Sequence, residues 1–309
     1  MEYPKIKVVV RCFTFNQSKY IKETMNGFTM QQTEFPFVCC IVDDSSTDGE
    51  QEVIKDYLKD NFNLSDTAVA YQKDTDYAHV LYAQHKMNQN CFFAVLLLKE
   101  NHYSKDKSKL GYLKEWTEGV PYVALCEGDD FWIAPNKLQM QVDFLDNNIE
   151  FGLTYTQACV CNQNNEIDDS HIIGTAGCNS FNEMIEYNPI PTLTTVFRNS
   201  IYSKYLNSID INPQWKMGDY PIWLFFSLKS KIHFFEKVTS AYRYLPESAS
   251  HSRSLKKRLL FIKGLYLVRK DLIYYANRKE LLKRYRRKYW SEVLVLCMYQ
   301  IAVFLKVKS

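Results

Sequence analysis

Residues 37–42 (FVCCIV) form a short apolar run that ends directly in Asp43-Asp44-Ser45-Ser46-Thr47-Asp48-Gly49. An apolar run of strand length closed by a polar turn cluster reads as a buried strand that delivers carboxylates to its carboxyl end. On the N-terminal side, residues 6–10 are a second β-branched run, and residues 18–31 between the two carry apolar positions at helical spacing. On the C-terminal side, residues 51–58 have a helical pattern, with Thr47 or Asp48 as N-cap. Strand, helix, strand, helix predicts an α/β fold with a buried parallel sheet and helices on its faces. Ligands of such sheets lie beyond the carboxyl ends of the strands, where this acidic cluster sits.

Residues 121–126 (PYVALC) are a third strand candidate, and they too run straight into acid, Glu127-Gly128-Asp129-Asp130, before Phe131-Trp132 and a helical stretch at 137–147. Two acidic strand ends then share one sheet edge. Residues 60–90 are polar without a decisive period, and residues 101–114 (NHYSKDKSKLGYLK) read as a basic loop; both are placed to line a cleft. Beyond residue 151 come mixed strands and loops, then Trp215-Lys216-Met217-Gly218-Asp219-Tyr220-Pro221 leading into an apolar segment at 222–228. No repeat or low-complexity linker interrupts the chain before about Leu255, so residues 1–254 read as one domain and residues 255–309 as an extension.

The chain has 309 residues, 46% apolar and 24% charged, enough to bury a sizeable core and incompatible with intrinsic disorder. Its net charge is only +3, which excludes the basic field of a general nucleic-acid binder. The charge is uneven: residues 255–309 hold 15 Lys+Arg against 3 Asp+Glu, so a +12 extension follows a body at −9. Nine cysteines, with Cys39 and Cys40 adjacent inside an apolar run, read as scattered core thiols in a reducing compartment. Cys159 and Cys161 have no second pair at zinc spacing. The start, MEYPKIKVVV, lacks the secretory pattern, and no run approaches the ~20 apolar residues a membrane span requires, so a cytoplasmic location is expected.

Two adjacent carboxylates at a buried strand end repel one another unless a cation intervenes. Oxygen ligands from Asp129 and Asp130, completed by phosphate oxygens, suit Mg2+ or Mn2+ with a nucleotide diphosphate. The alternative is that such a pair caps the next helix or lies solvated in a turn.

Residues 8–16 (VVVRCFTFN), residues 41–48 (IVDDSSTD), residues 126–132 (CEGDDFW) and residues 218–221 (GDYP), in this order, resemble the family 2 glycosyltransferases of the GT-A fold. The resemblance covers roughly residues 5–254 and is similar to bacterial members that build surface polysaccharides. It implies a sugar transfer from a nucleotide-diphosphate donor, a UDP-sugar first, to a hydroxyl of a glycan or lipid-linked glycan precursor, inverting and dependent on a divalent cation. Phe15, where the family usually has tyrosine, would stack on the nucleobase, unless it is a core aromatic beside Phe13. Asp43 would accept a hydrogen bond from the base, with turn or helix capping as the alternative for it and for Asp48. Asp129 would contact ribose and Asp130 the metal, with Glu127 a further acid. Asp219 would be the general base; Gly218 stands where the family more often has an acid. Residues 242–252 (YRYLPESASHS) resemble a loop that follows the base in the family, and His251 in it would approach the metal or diphosphate, or be an exposed loop histidine. Lys105, Lys107 and Lys109 would offset diphosphate charge or form a solvated cluster. A nucleotidyltransferase is disfavoured because no Gly-rich phosphate loop follows the first strand. A non-catalytic nucleotide- or glycan-binding protein is disfavoured by the presence of Asp130 and Asp219.

The extension has a helical pattern over Leu255–Tyr275, a dense basic run at 279–289 (KELLKRYRRKY), then Trp290 and an apolar stretch at 293–305. That composition suits an interfacial helix on the anionic inner face of the cytoplasmic membrane. A helical pair packed on the acidic body fits the same pattern. No nucleic-acid partner is implied.

Overall fold

The structure is a computed structural model that describes residues 4–177, 180–245 and 254–307, with side chains described to residue 299. Its strands are β1 (Val8–Thr14), β2 (Phe37–Asp43), β3 (Ala70–Asp74), β4 (Ala78–Gln84), β5 (Cys91–Leu98), β6 (Tyr122–Leu125), β7 (Phe131–Trp132), β8 (Phe151–Cys161), β9 (Ile167–Ile173), β10 (Val196–Arg198) and β11 (Lys231–Arg243). The helices are α1 (Ile21–Thr29), α2 (Glu50–Asn61), α3 (Lys114–Thr117), α4 (Lys137–Asn147), α5 (Phe181–Met184), α6 (Asn199–Ser208), α7 (Tyr220–Lys229), α8 (Leu255–Tyr275) and α9 (Leu282–Val307).

The strands form one mixed sheet in the order β3-β4-β5-β2-β1-β6-β10-β8-β11-β7, with β9 on β8. At its centre β1 runs parallel to β2 on one side and to β6 on the other, with Thr14 opposite Asp43 and Arg11 opposite Leu125. The two acidic segments therefore leave the sheet on either side of β1, at one edge. Every residue of β2 and β5 is buried, which is why both read as unbroken apolar runs rather than alternating ones. Val8, Val10 and Cys12 pack on one face with α1, α2 and α4; Val9 and Phe13 face the other, against Leu113 and Trp116. The described cysteines are free, and all but Cys297 are buried.

The polar segment at 60–90 contains the β3–β4 hairpin at the sheet's outer edge. Only Ala70 of β3 is buried, so this strand has no hydrophobic face for a pattern to reveal. Helix α2 starts after Gly49, whose φ of +89° suits a residue without Cβ; Asp48 supports it by accepting from the Glu50 N–H at 3.1 Å. Helix α7 buries every residue from Tyr220 to Phe226 and packs against α6 and α8. Val268 and Leu272 of α8 and Tyr285 of α9 belong to the same core. No helix among the described residues is long and apolar enough to cross a membrane.

Candidate active site

The edge where β1, β2 and β6 end gathers seven polar side chains whose partners differ sharply. Asp43 is buried; its Oδ1 accepts from Ser46 N at 3.1 Å and Gln51 Nε2 at 2.5 Å, while its buried Oδ2 has no hydrogen-bond partner among the described residues. Asp44 is also buried, and the bonds of its carboxylate run to residues 102–109: Oδ1 accepts from His102 N at 2.7 Å, Oδ2 from Tyr103 N at 3.0 Å and Lys109 Nζ at 2.8 Å. Burial pushes the Asp44 carboxyl up, but the bonds from Lys109, His102 and Tyr103 outweigh it and hold it below the usual carboxylate range. Glu50 lies under this edge, fully buried, bonded to the Thr14 hydroxyl and accepting from Gln17 N and Ser46 Oγ, both at 2.8 Å. Burial raises its carboxyl despite these donors.

Gly128 brings the second acidic segment against β1. Its N–H donates to Phe13 O at 3.1 Å, and a Cβ at this position would lie 2.1 Å from Thr14 Oγ1; only glycine allows that approach. Asp130, 5% exposed, accepts from Arg243 N at 2.8 Å through Oδ1. The buried Arg243 side chain donates from Nε to Asp129 O at 2.7 Å and from Nη1 to Asn162 O and Asn165 Oδ1, and it lies over the Tyr20 ring. Burial raises the carboxyls of Asp129 and Asp130, and in Asp130 the charge of Asp129 adds to it. Glu127 is pushed up to about 7 by burial and by the charges of Asp129 and Asp219, partly offset by Arg11.

Asp219 caps the start of α7: Oδ1 accepts from Tyr220 N at 2.8 Å, and Oδ2 accepts from the Thr192 hydroxyl at 2.6 Å. Glu127, Asp129, Asp130, Thr192, Asp219 and Arg243 line one cavity of about 600 Å³. A second cavity of about 640 Å³ has Arg11, Phe13, Tyr202 and Gly218 in its wall, and Glu127, Thr192, Lys216, Met217 and Asp219 border both. Phe261, Leu265 and Arg269 of α8 close the first cavity.

The structure thus brings Asp129, Asp130 and Asp219 together. Asp43 and Phe15 stand at the β1–β2 ends and line neither cavity; Phe15 is 44% exposed and is not a core aromatic. His251 lies outside the described residues. Among the described residues no three His, Cys, Asp or Glu side chains converge into a metal cage. The donors present at the cavity are hard carboxylate oxygens crowded enough to raise one another's affinity for protons, a set that suits Mg2+ or Mn2+ only when ligand oxygens complete the shell. The basic loop does not offer its lysines freely: Lys105 and Lys107 pair with Glu100 at the surface, and Lys109 is held by Asp44. Glu50, Thr192 and Arg11 were not singled out from sequence; each acts through a partner at least 27 residues away, and no local pattern marks that.

Residues 12–73 match the family model described as Glycosyl transferase family 2. Uncharacterized proteins of Mycobacterium tuberculosis and Mycobacterium bovis are 32% identical over 139 residues, 44% of this chain and 31% of each relative. The match thus spans about a third of the length of these curated relatives. Among solved structures, S. aureus TarS 1–349 superposes with a TM-score of 0.56 at 18% identity, covering 93% of this chain and 72% of that one. The same protein in complex with UDP-GlcNAc gives 0.53 at 15%, covering 85% and 66%. Mannosyltransferase PcManGT from Pyrobaculum calidifontis, in complex with GDP-Man and Mn2+, gives 0.53 at 12%, covering 98% and 77%. These likenesses show the shared fold.

Proposed function

We propose that this chain, a family 2 glycosyltransferase of the GT-A fold, moves a sugar from a nucleotide-diphosphate donor to a hydroxyl of a glycan or lipid-linked glycan precursor, with inversion at the anomeric carbon. The observation that carries the reading is the meeting of Asp129 and Asp130, from beyond β6, with Asp219, from the start of α7, on one cavity. Asp219 takes the proton of the acceptor hydroxyl as that oxygen bonds to the anomeric carbon and the bond to the diphosphate breaks. Tyr220 N and the Thr192 hydroxyl fix the direction of its two oxygens, and each carboxylate oxygen keeps a lone pair for the incoming proton.

The unpartnered Oδ2 of Asp43 is suited to an N–H of the nucleobase, and the exposed ring of Phe15 to stacking on it. Asp129 serves the ribose. Asp130, with diphosphate oxygens, would hold Mn2+ or Mg2+, which supplies charge stabilisation to the departing diphosphate. The UDP-GlcNAc held by TarS and the GDP-Man held by PcManGT support a nucleotide-sugar donor; UDP-sugars are our first choice. Residues 1–254 carry the chemistry, residues 255–309 form an extension that helps wall the cavity, and the setting is cell-surface polysaccharide synthesis at the cytoplasmic side.

Nucleotide release from a panel of nucleotide sugars, with and without Mn2+, tests this reading. Release that requires the metal supports it. Tight nucleotide-sugar binding with no release from any donor would instead leave a non-catalytic binding protein.

A further inference from the structure

We propose that α8 and α9 form a docking face for an anionic bilayer, with Trp290, Leu294 and Met298 as its inserted edge. The proposal rests on the reading of the acceptor as lipid-linked. Helix α9 buries Tyr285 and Leu296 against the protein but leaves Trp290 57%, Leu294 61% and Met298 68% exposed. At 100° per residue the spacing of four keeps these three within an arc of about 80°, one continuous stripe. Beside it, Leu255, Leu259 and Leu260 of α8 with Tyr289 and Val293 of α9 line an apolar groove of about 640 Å³.

Charge identifies the occupant. Lys256 and Lys263 of α8 stand at the groove, and Lys283 and Arg287 of α9 lie on the helical arc of Trp290, about two turns and one turn earlier; all four are exposed. Arg284 and Lys288, on a different side of α9, face Glu186 of the body instead. An apolar stripe ringed by outward cations matches lipid chains below anionic headgroups. A two-fold pairing with a second copy would set these cations against themselves. The placement also has a use: α8 presents Leu259 and Leu260 to the groove and Phe261, Leu265 and Arg269 to the catalytic cavity. A bilayer under α8 therefore lies within about one helix diameter, ~10 Å, of the cavity wall, where the head of a membrane-held acceptor would enter.

Trp290 is its own reporter, because Trp116, Trp132, Trp215 and Trp223 are buried. Full-length protein is titrated with vesicles of phosphatidylcholine alone or mixed 1:1 with phosphatidylglycerol, the chains brominated to quench inserted tryptophan. The expected result is a blue shift and quenching with the anionic vesicles, weakened by salt and lost in Trp290→Phe. Leu294→Glu should lower vesicle affinity at least tenfold, and Lys283→Glu with Arg287→Glu should do so only for anionic vesicles, with nucleotide release in the absence of lipid unchanged in both. No spectral change with anionic vesicles overturns the proposal, as does a blue-shifted Trp290 in a lipid-free dimer seen by sedimentation, which would make a second copy the occupant. The transferase reading fails separately, in the lipid-free nucleotide-release assay.

Discussion

Two of the chain's three Asp-Asp dipeptides, Asp43-Asp44 at the end of β2 and Asp129-Asp130 beyond β6, follow the two strands that flank β1. Around the first, Asp44 is satisfied by two backbone N–H groups and Lys109, and its carboxyl sits below the usual range. Around the second, the cation nearby, Arg243, gives its backbone N–H to Asp130 and its side chain to carbonyls and Asn165, so both carboxyls remain raised. A carboxylate whose charge is already answered inside the protein, as that of Asp44 is, organises a loop. A pair whose charge Arg243 answers only in part, at a cavity, is, on the proposed reading, where a ligand brings the missing cation.

The widest separation should come from exchanging a carboxylate in each pair. Asp130→Asn keeps an acceptor for Arg243 N, so the fold should be no less stable, yet calorimetric titration with UDP and Mn2+ should show donor affinity reduced about 100-fold or more. Unchanged affinity would move the metal elsewhere. Asp44→Ala should do the reverse. It strands the nearly buried Lys109 and two N–H groups, and loss of one partner of a buried pair costs about 3 to 5 kcal/mol, readable as a lower urea midpoint. A variant as stable as the wild type would show that residues 101–109 do not depend on Asp44.

A smaller effect separates the two ends by pH. Glu127, raised from 4.5 to about 7, keeps its proton in the fold where the unfolded chain has already lost it. Stability therefore falls as pH rises from about 4.5 to 7 and levels off above. Asp44, being lowered, has the opposite sign: its contribution is present above the ordinary carboxylate range and is lost only as pH falls through its depressed value. Without metal, thermal unfolding of Glu127→Gln should overtake the wild type across that window by about 1 to 2 kcal/mol, after screening at a half-buried site. Parallel curves for the two proteins would show that Glu127 does not hold the proton.

The sheet's centre was legible because its signals are local: residues 37–42 and 121–126 are apolar runs ending in acid, and α4 and α8 fall where the 3.6-residue pattern placed them. Edge strand β3 was not, since a strand with one buried residue has no face to betray it. At the site, the acids themselves could be read, but their differences could not. Asp44 and Lys109 are 65 residues apart, Asp130 and Arg243 113 apart, and Thr192 and Asp219 27 apart. Nor does any local pattern say that α8 turns Phe261 and Leu265 toward the cavity.

The central claim, that Asp219 is the base of an inverting transfer beside a donor site built on Asp129 and Asp130, is tested most directly by measuring turnover and donor affinity together in Asp219→Asn. The amide can still accept from Tyr220 N but cannot take the acceptor's proton. Turnover should fall about 10²-fold or more with donor affinity nearly intact. Turnover close to that of the wild type would contradict the account.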